Sequence, residues 1–303
     1  MGSAVVLQIG YNMRLMSRRY DLHSHSLASD GTLSPTELVQ RAATAGVDVL
    51  ALTDHDDTGG IAEAQQAAAQ EGICLVPGVE VSVTWGKQTI HVVGLNIDTA
   101  YEPLQTGLAR TREYRNWRAE EMGRRLAKHG IEGAYEGAVA RAHGRIISRT
   151  HFAHFLVDNG HAESVRAVFK SFLKPRKPGF VPGDWATMEE ALGWINGAGG
   201  EAVIAHPARY TMSASKRRML LSEFVELGGA GLEVVSGSHS RGDNFNMAQL
   251  AKNYKLRASA GSDFHGPENP WVELGRLQTL PEGCIAIWQD WQLGECEGSR
   301  AAS

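Results

Sequence analysis

Five short apolar runs in this chain stop at a residue able to ligate a metal, and a sixth carries one near its start. Tyr20 and Leu22 lead into His23 and His25. Residues 47–52 run into Thr53, Asp54 and His55. Residues 74–79 end on Glu80, residues 202–205 on His206, and residues 258–262 on Asp263, with His265 two further on; His91 stands near the head of 90–95. Residues i and i+2 of a strand share a face, so His23 and His25 offer two imidazoles to one point, and Asp30 adds an oxygen from the loop that follows. A chain punctuated in this way must fold so that its strand ends converge. The C-terminal ends of strands are also where barrel enzymes place their chemistry.

The segments between the runs carry helix signals. Ser34-Pro35-Thr36-Glu37 combines a cap, a first-turn proline and a glutamate three residues after the cap, predicting a helix to Ala45 with Gly46 as its stop. A second helix is expected over 60–70, ending at Gly72. Strands 74–82 and 89–97 are separated by Trp85-Gly86-Lys87, a hairpin turn that sets His91 opposite Glu80. From Tyr101 helical spacing dominates to about Leu173, and Pro175, Pro178 and Pro182 close the segment. Thr187 and Glu190 cap a helix reaching Ile195. Strand 201–206, helix 214–227, strand 231–236, helix 243–254 and strand 257–265 follow. Seven strands result, and the βα alternation predicts a parallel sheet. The expected division is an N-terminal extension 1–19 (a loose segment or the product of an upstream start codon), a barrel from 20–100 and 183–285, a helical insertion 101–182 capping the site, and a tail 286–303. Trp288 and Trp291 of the tail are expected to pack on the barrel exterior.

The order HSH, D, TDH, E, H, AHP, SDFH resembles the PHP (polymerase and histidinol phosphatase) superfamily from about Tyr20 to about Leu280. Within it, DLHSHSLASDGTLSP, ALTDHD, PGVEVS, IHVVGLNID, AHPARY and GSDFHGP resemble the branch of nucleoside 3',5'-bisphosphate phosphatases and RNase AM-like 5'-3' exoribonucleases. The resemblance implies an α/β fold, a distorted (β/α)7 barrel with a helical insertion. It implies two to three divalent ions held by His23, His25, Asp30, His55, Glu80, His91, His206, Asp263 and His265. His23, His25, Glu80 and Asp263 would hold the first; Glu80 would bridge to a second with His91 and His206; Asp30, His55 and His265 would hold a third. Nitrogen and oxygen ligands without sulfur suit Mn, Fe or Zn, and the resemblance favours Mn. A water shared by two ions is acidified towards hydroxide and attacks phosphorus without a Ser or Cys nucleophile. Asp263 or His265 would pass a proton to the leaving oxygen.

Net charge is -4, which by itself predicts no nucleic-acid binding, yet residues 100–180 hold 15 Lys/Arg against 8 Asp/Glu, a balance of +7. A basic segment beside a carboxylate-rich site suits an anionic substrate. Arg149, in Ser148-Arg149-Thr150-His151, and Arg209, three after His206, are the candidate phosphate clamps, with His151 a further contact. His129, His143, His154 and His161 have no ligand-like spacing, and His239 is a minor candidate. A clamp on one phosphate and metals on another fit a nucleoside 3',5'-bisphosphate such as pAp, or the 5' end of a short RNA. The alternatives are a histidinol-phosphate-type phosphatase, a non-catalytic PHP accessory module and, lower, an amidohydrolase. The full ligand set and the lack of a polymerase region favour an enzyme. No stable protein partner is indicated. Three scattered cysteines without C-x-x-C argue against structural zinc or a disulfide framework and fit the cytoplasm. No apolar run reaches the roughly 20 residues of a membrane helix, and Ala4-Val5-Val6-Leu7 precedes Arg14, the wrong order for a signal peptide.

Overall fold

The computed structural model describes residues 18–293, so nearly all of the expected extension and the end of the tail lie outside the described residues. Seven strands follow chain order in one sheet: β1 (Tyr20–Asp21), β2 (Val49–Leu52), β3 (Cys74–Trp85), β4 (Gln88–Leu95), β5 (Glu201–Ile204), β6 (Gly231–Ser236) and β7 (Arg257–Gly261). The first and last members meet. The Leu22 N–H donates to the Ala260 carbonyl and the His25 N–H to the Phe264 carbonyl, each at 2.9 Å. Closure removes the sheet's edges and brings residues from both ends of the chain to one rim.

The pairing is mixed, not wholly parallel as expected. β4 runs against both β3 and β5. The cause is the turn at Gly86 and Lys87, whose φ values of 54° and 66° suit a two-residue hairpin. A parallel neighbour would need a crossover of about a dozen residues or more. β3 is long enough to carry the hairpin well past the rim.

Helices α1 (Pro35–Thr44) and α2 (Ile61–Glu71) cover the outward side chains Leu50 and Leu52 of β2. Ser34 and Glu37 form the capping box, and Gly72 ends α2 in a left-handed conformation. The segment after β4 holds α3 (Glu102–Ala127), α4 (Ala134–Val139), α5 (Arg149–Asp158) and α6 (Val165–Val168). Met122, Leu126, Phe152 and Leu156 give these helices a core of their own. α7 (Met188–Gly197), boxed by Thr187 and Glu190, returns to the barrel. With α8 (Ala214–Glu226) and α9 (Arg241–Asn253) it packs on β3 to β6.

Inside the barrel, Val49, Ala51, Val76, Val93, Leu95, Val203 and Ala205 form one cluster. The tail joins it, contrary to the expected exterior position. Ile287 is fully buried there, Trp288 stacks on Tyr20 with centroids 4.3 Å apart, and Trp291 packs beside them. The inward side chains of these short strands are small, and large aromatic surfaces fill what they leave open. Cys284 is free, whereas Cys74 is disulfide-bonded, a cross-link that the scattered spacing does not indicate.

Candidate metal centre

The rim of the barrel draws six histidines and three carboxylates together. Glu80, inward-facing on β3, is the hub. Its Oε1 lies 2.9 Å from His91 Nδ1 and 3.1 Å from His206 Nε2. Its Oε2 lies 2.8 Å from His55 Nδ1, 3.3 Å from His25 Nε2 and 3.4 Å from His23 Nε2. The hairpin register sets His91 opposite Ser82, not Glu80, so the Glu80–His91 contact is diagonal across the pair. Asp263 Oδ1 stands 3.1 Å from His25 Nε2 and 3.4 Å from His23 Nε2. Asp30 Oδ1 is 3.3 Å from His265 Nε2.

Three groups have ligand atoms within 4.8 Å of one another: His23, His25, Glu80 and Asp263; His25, Asp30, His55 and His265; and His55, Glu80 and His91. The first has the composition that the resemblance implies. The others differ in detail. His25 serves two groups, and His55 joins Glu80 and His91, with His206 reaching them through Glu80.

Local structure explains the convergence. A Cβ on Gly31 would lie 2.4 Å from the His25 carbonyl oxygen, so only glycine lets the loop turn back and place Asp30 beside the histidines. Asp54 does not face the centre. It accepts hydrogen bonds from the Ser26 N–H (2.8 Å), the Ser26 hydroxyl (2.7 Å) and the Ser29 hydroxyl (2.6 Å), pinning that same loop. His206 and Asp263 adopt φ values of 30° and 57°, in the left-handed region that residues other than glycine seldom enter. The Asp263 N–H donates to the His23 carbonyl at 2.8 Å. The His206 N–H donates to Glu233, whose other oxygen lies 3.1 Å from His23 Nδ1.

The electrostatics fit a cation. Burial opposes ionisation of Glu80, Asp263 and Asp30, yet their neighbours hold all three carboxyls well below the usual range: His55 and His91 for Glu80, Arg209 and His23 for Asp263, His265 and His55 for Asp30. Burial pushes His25 down, but its bonds to Asp263 and Glu80 prevail and lift it to about 10, whereas burial prevails at His55 and takes it to about 4. The rings of these two histidines are only 4.6 Å apart. The two differ because His25 takes the carboxylates' bonds, while burial and the charge of His25 hold His55 down. His25 Nδ1, Asp30 Oδ1, Glu80 Oε2 and His206 Nδ1 are buried and, whatever short contacts surround them, make no hydrogen bond of good geometry. Orphaned nitrogen and oxygen atoms at this density are what divalent ions satisfy.

The cluster forms one wall of a cavity of about 340 Å³. The insertion supplies the facing wall, with Arg115, Arg118, Arg149, Thr150 and Phe169, and Trp185 lines the cavity just after it. Arg115 donates to Asp56 at 2.6 Å and to the Ser82 hydroxyl at 2.7 Å. Arg118 donates to the Val181 carbonyl, and burial with the charges of Arg149 and Arg115 lowers it to about 9. Arg149 lies with its guanidinium 5.5 Å from the Phe169 ring centroid and is lowered by burial and by Arg115. Thr150 donates to Asp30 at 3.1 Å, linking the two walls.

Of the other candidates, Arg209 reaches the cavity from the ligand side, donating to Asp263 at 2.5 Å and to the Ser238 hydroxyl at 2.8 Å. His151 is placed differently from the expectation. Its Nδ1 accepts from the Ser148 N–H at 3.1 Å as part of the α5 capping box, and its ring is buried away from the cavity lining. His239 lies under the loop at Ala208, also outside the lining. Glu233, Arg115 and Arg118 escaped the sequence reading. Glu233 had a signal, a single charge in the strand Gly231–Ser236 that is otherwise apolar to its last residue. The arginines had only an i, i+3 spacing on a long helix that resembles a solvated face.

A closed seven-stranded α/β barrel whose rim gathers several groups that could hold metal ions is the architecture of a metal-centre hydrolase. The chain belongs to the PHP domain family, whose match spans residues 21–181. It is similar to the 3',5'-nucleoside bisphosphate phosphatase of Chromobacterium violaceum, at 50% identity over 89% of this chain and 95% of that protein. It is also similar to the 5'-3' exoribonuclease Rnm of Escherichia coli strain K12, at 46% identity over 90% and 94%. A solved structure of a Chromobacterium violaceum protein described as an amidohydrolase, with bound sulfate and no metal, matches with a TM-score of 0.86 at 50% identity, covering 89% of this chain and 95% of that one.

Proposed function

We propose that this protein is a metal-dependent phosphoesterase. It releases the 3'-phosphate of nucleoside 3',5'-bisphosphates and trims short RNA from the 5' end. The observation that carries the reading is the pair of facing walls: a nitrogen and oxygen ligand cluster on one side, three crowded arginines on the other, in one cavity. The relatives' activities support it.

His23, His25, Glu80 and Asp263 would hold one ion. Glu80, His55, His91 and His206 would hold a second, and His25, Asp30, His55 and His265 a third. Such ions, Mn by preference, supply an acidified water and oppose charge growing on the phosphoryl oxygens. Glu233 orients His23 and His206. Arg209 neutralises Asp263 and meets the phosphoryl group under attack. His265 is the most open of the six histidines, with its side chain 33% exposed. It would serve either as a ligand of the third ion or, with that ion absent, as the group that hands a proton to the leaving oxygen.

The charges of Arg149 and Arg115 bear on Arg118, and that of Arg115 on Arg149, and a second phosphate bound by Arg118 and Arg149 relieves that crowding. They therefore hold the non-reacting 5'-phosphate as a handle that positions the 3' ester. The insertion 101–182 acts as the cap that presents this handle site. The cytoplasm, where such nucleotides and RNA ends occur, is the proposed compartment.

A phosphate-release comparison on Mn-loaded protein tests the reading. kcat/KM for pAp should exceed that for AMP by at least about 100-fold, about 2.7 kcal/mol from a charged hydrogen-bonded contact. Equal rates on pAp, AMP and histidinol phosphate, or a preference for the last, would overturn it.

A further inference from the structure

We infer that Trp185, Tyr114 and Trp117 form a stacking track that leads the bases of an RNA, beyond its 5'-terminal nucleotide, out of the cavity. This rests on the RNA-end reading above. Trp185 lines the cavity, where its indole N–H donates to the Thr89 hydroxyl at 3.1 Å. The Arg115 and Arg118 guanidiniums lie 4.8 Å and 5.4 Å from its ring centroid. Tyr114 meets Trp185 edge-on at 5.0 Å and is fixed by a 2.8 Å hydrogen bond from its hydroxyl to the Pro182 carbonyl. Trp117, nearly one turn further along α3, follows at 5.4 Å from Tyr114. Exposure rises along the series, from half-buried Trp185 and Tyr114 to Trp117 at 53%.

A single exposed tryptophan needs no explanation. One that continues a row of rings from the wall of a catalytic cavity is placed for a ligand leaving that cavity. The flanks carry both signs, with exposed Glu113, Glu120 and Asp184 beside the rings, but the basic groups outnumber them. Arg115 and Arg118 stand at the inner end, and the exposed Lys174, Arg176 and Lys177 precede the strap 180–182 that runs along α3. Glu121, one turn beyond Trp117, is taken up by Arg124 and Arg125. Rings with basic neighbours are the usual means of holding single strands without sequence preference, since every base has a π-face. The nucleoside bisphosphate is too short to reach Trp117, so the outer ring acts only on longer substrates.

The test compares wild type, Trp117→Ala and Trp117→Phe, Mn-loaded, on pAp and on a 5'-phosphorylated decaribonucleotide. Trp117→Ala should lose about 10-fold in kcat/KM on the decamer. It should leave pAp kinetics and the melting temperature unchanged, and Trp117→Phe should recover most of the loss. Unchanged decamer kinetics in Trp117→Ala, or an equal loss on pAp and decamer, would overturn the track while leaving the phosphoesterase reading in place. A wild-type protein that cleaves pAp but not the decamer refutes the RNA-end reading and the track together. One that cleaves neither refutes the functional reading itself.

Discussion

The two walls of the cavity are built by different means. On the barrel side, backbone places the chemistry. Glu80 and His91 meet diagonally across a hairpin, and His23 and Asp263 meet because strands β1 and β7 close the ring. On the insertion side, long side chains do the reaching: Arg115 and Arg118 project from one helix and Arg149 from another. The first wall tolerates little displacement, because a ligand atom must fall within a fraction of an ångström. The second would hold a phosphate through long-range charge and several donors, and so would tolerate more. Reaction should therefore depend on the barrel wall, and substrate choice on the insertion wall.

The largest expected effect is at the hub. Glu80→Gln should lower kcat on pAp and AMP alike by on the order of 1000-fold and remove at least one ion per chain by elemental analysis. Full metal content and activity in that variant would break the division between the walls. Next, Arg149→Ala or Arg118→Ala should reduce the preference for pAp over AMP by about 30-fold, seen as a raised KM for pAp with metal content unchanged. A fall in kcat on both substrates would instead place these arginines with the reacting phosphate. Arg209→Ala sharpens the boundary, since Arg209 enters from the ligand side. A loss of about 10-fold is expected on pAp and AMP equally, in rate and not in preference. The smallest effect should come from Glu233→Gln, which leaves every ligand in place. It should weaken metal binding by about 10-fold, measured by competition with a chelator, and leave the substrate preference untouched.

The same contrast explains what could be read in the sequence. The barrel wall was legible because strands impose a period of two and because strand ends coincide with rim positions, so His23, His25, Glu80 and Asp263 announce themselves by spacing. Two-residue turns and capping boxes are equally local, and Ser34, Thr187 and Gly86 indicated their elements. The reversal of β4 was implied by the hairpin at Gly86 and Lys87 but masked by the βα alternation around it. Arg115 and Arg118 were illegible because helical phase relative to a distant site is a tertiary property. The role of His151 as a cap, and of Trp288 as a cover over the inner cluster of the barrel, also depend on contacts that no local pattern encodes.

The reversal of β4 has a consequence for the time course of folding. Glu80 and His91 are 11 residues apart and are joined by a tight hairpin, a structure that forms on the order of microseconds. His25 and Asp263 are 238 residues apart and meet only when the ring closes. Loop closure over such a distance is entropically late. Half of the centre is thus assembled early and half at the end. In stopped-flow refolding, tight metal uptake should track the slowest folding phase, and uptake in the earliest phase would show that the hairpin half binds an ion alone. A nascent chain should therefore have no complete centre until the segment around Asp263 has been synthesised, which would keep an unfinished product from hydrolysing phosphoesters.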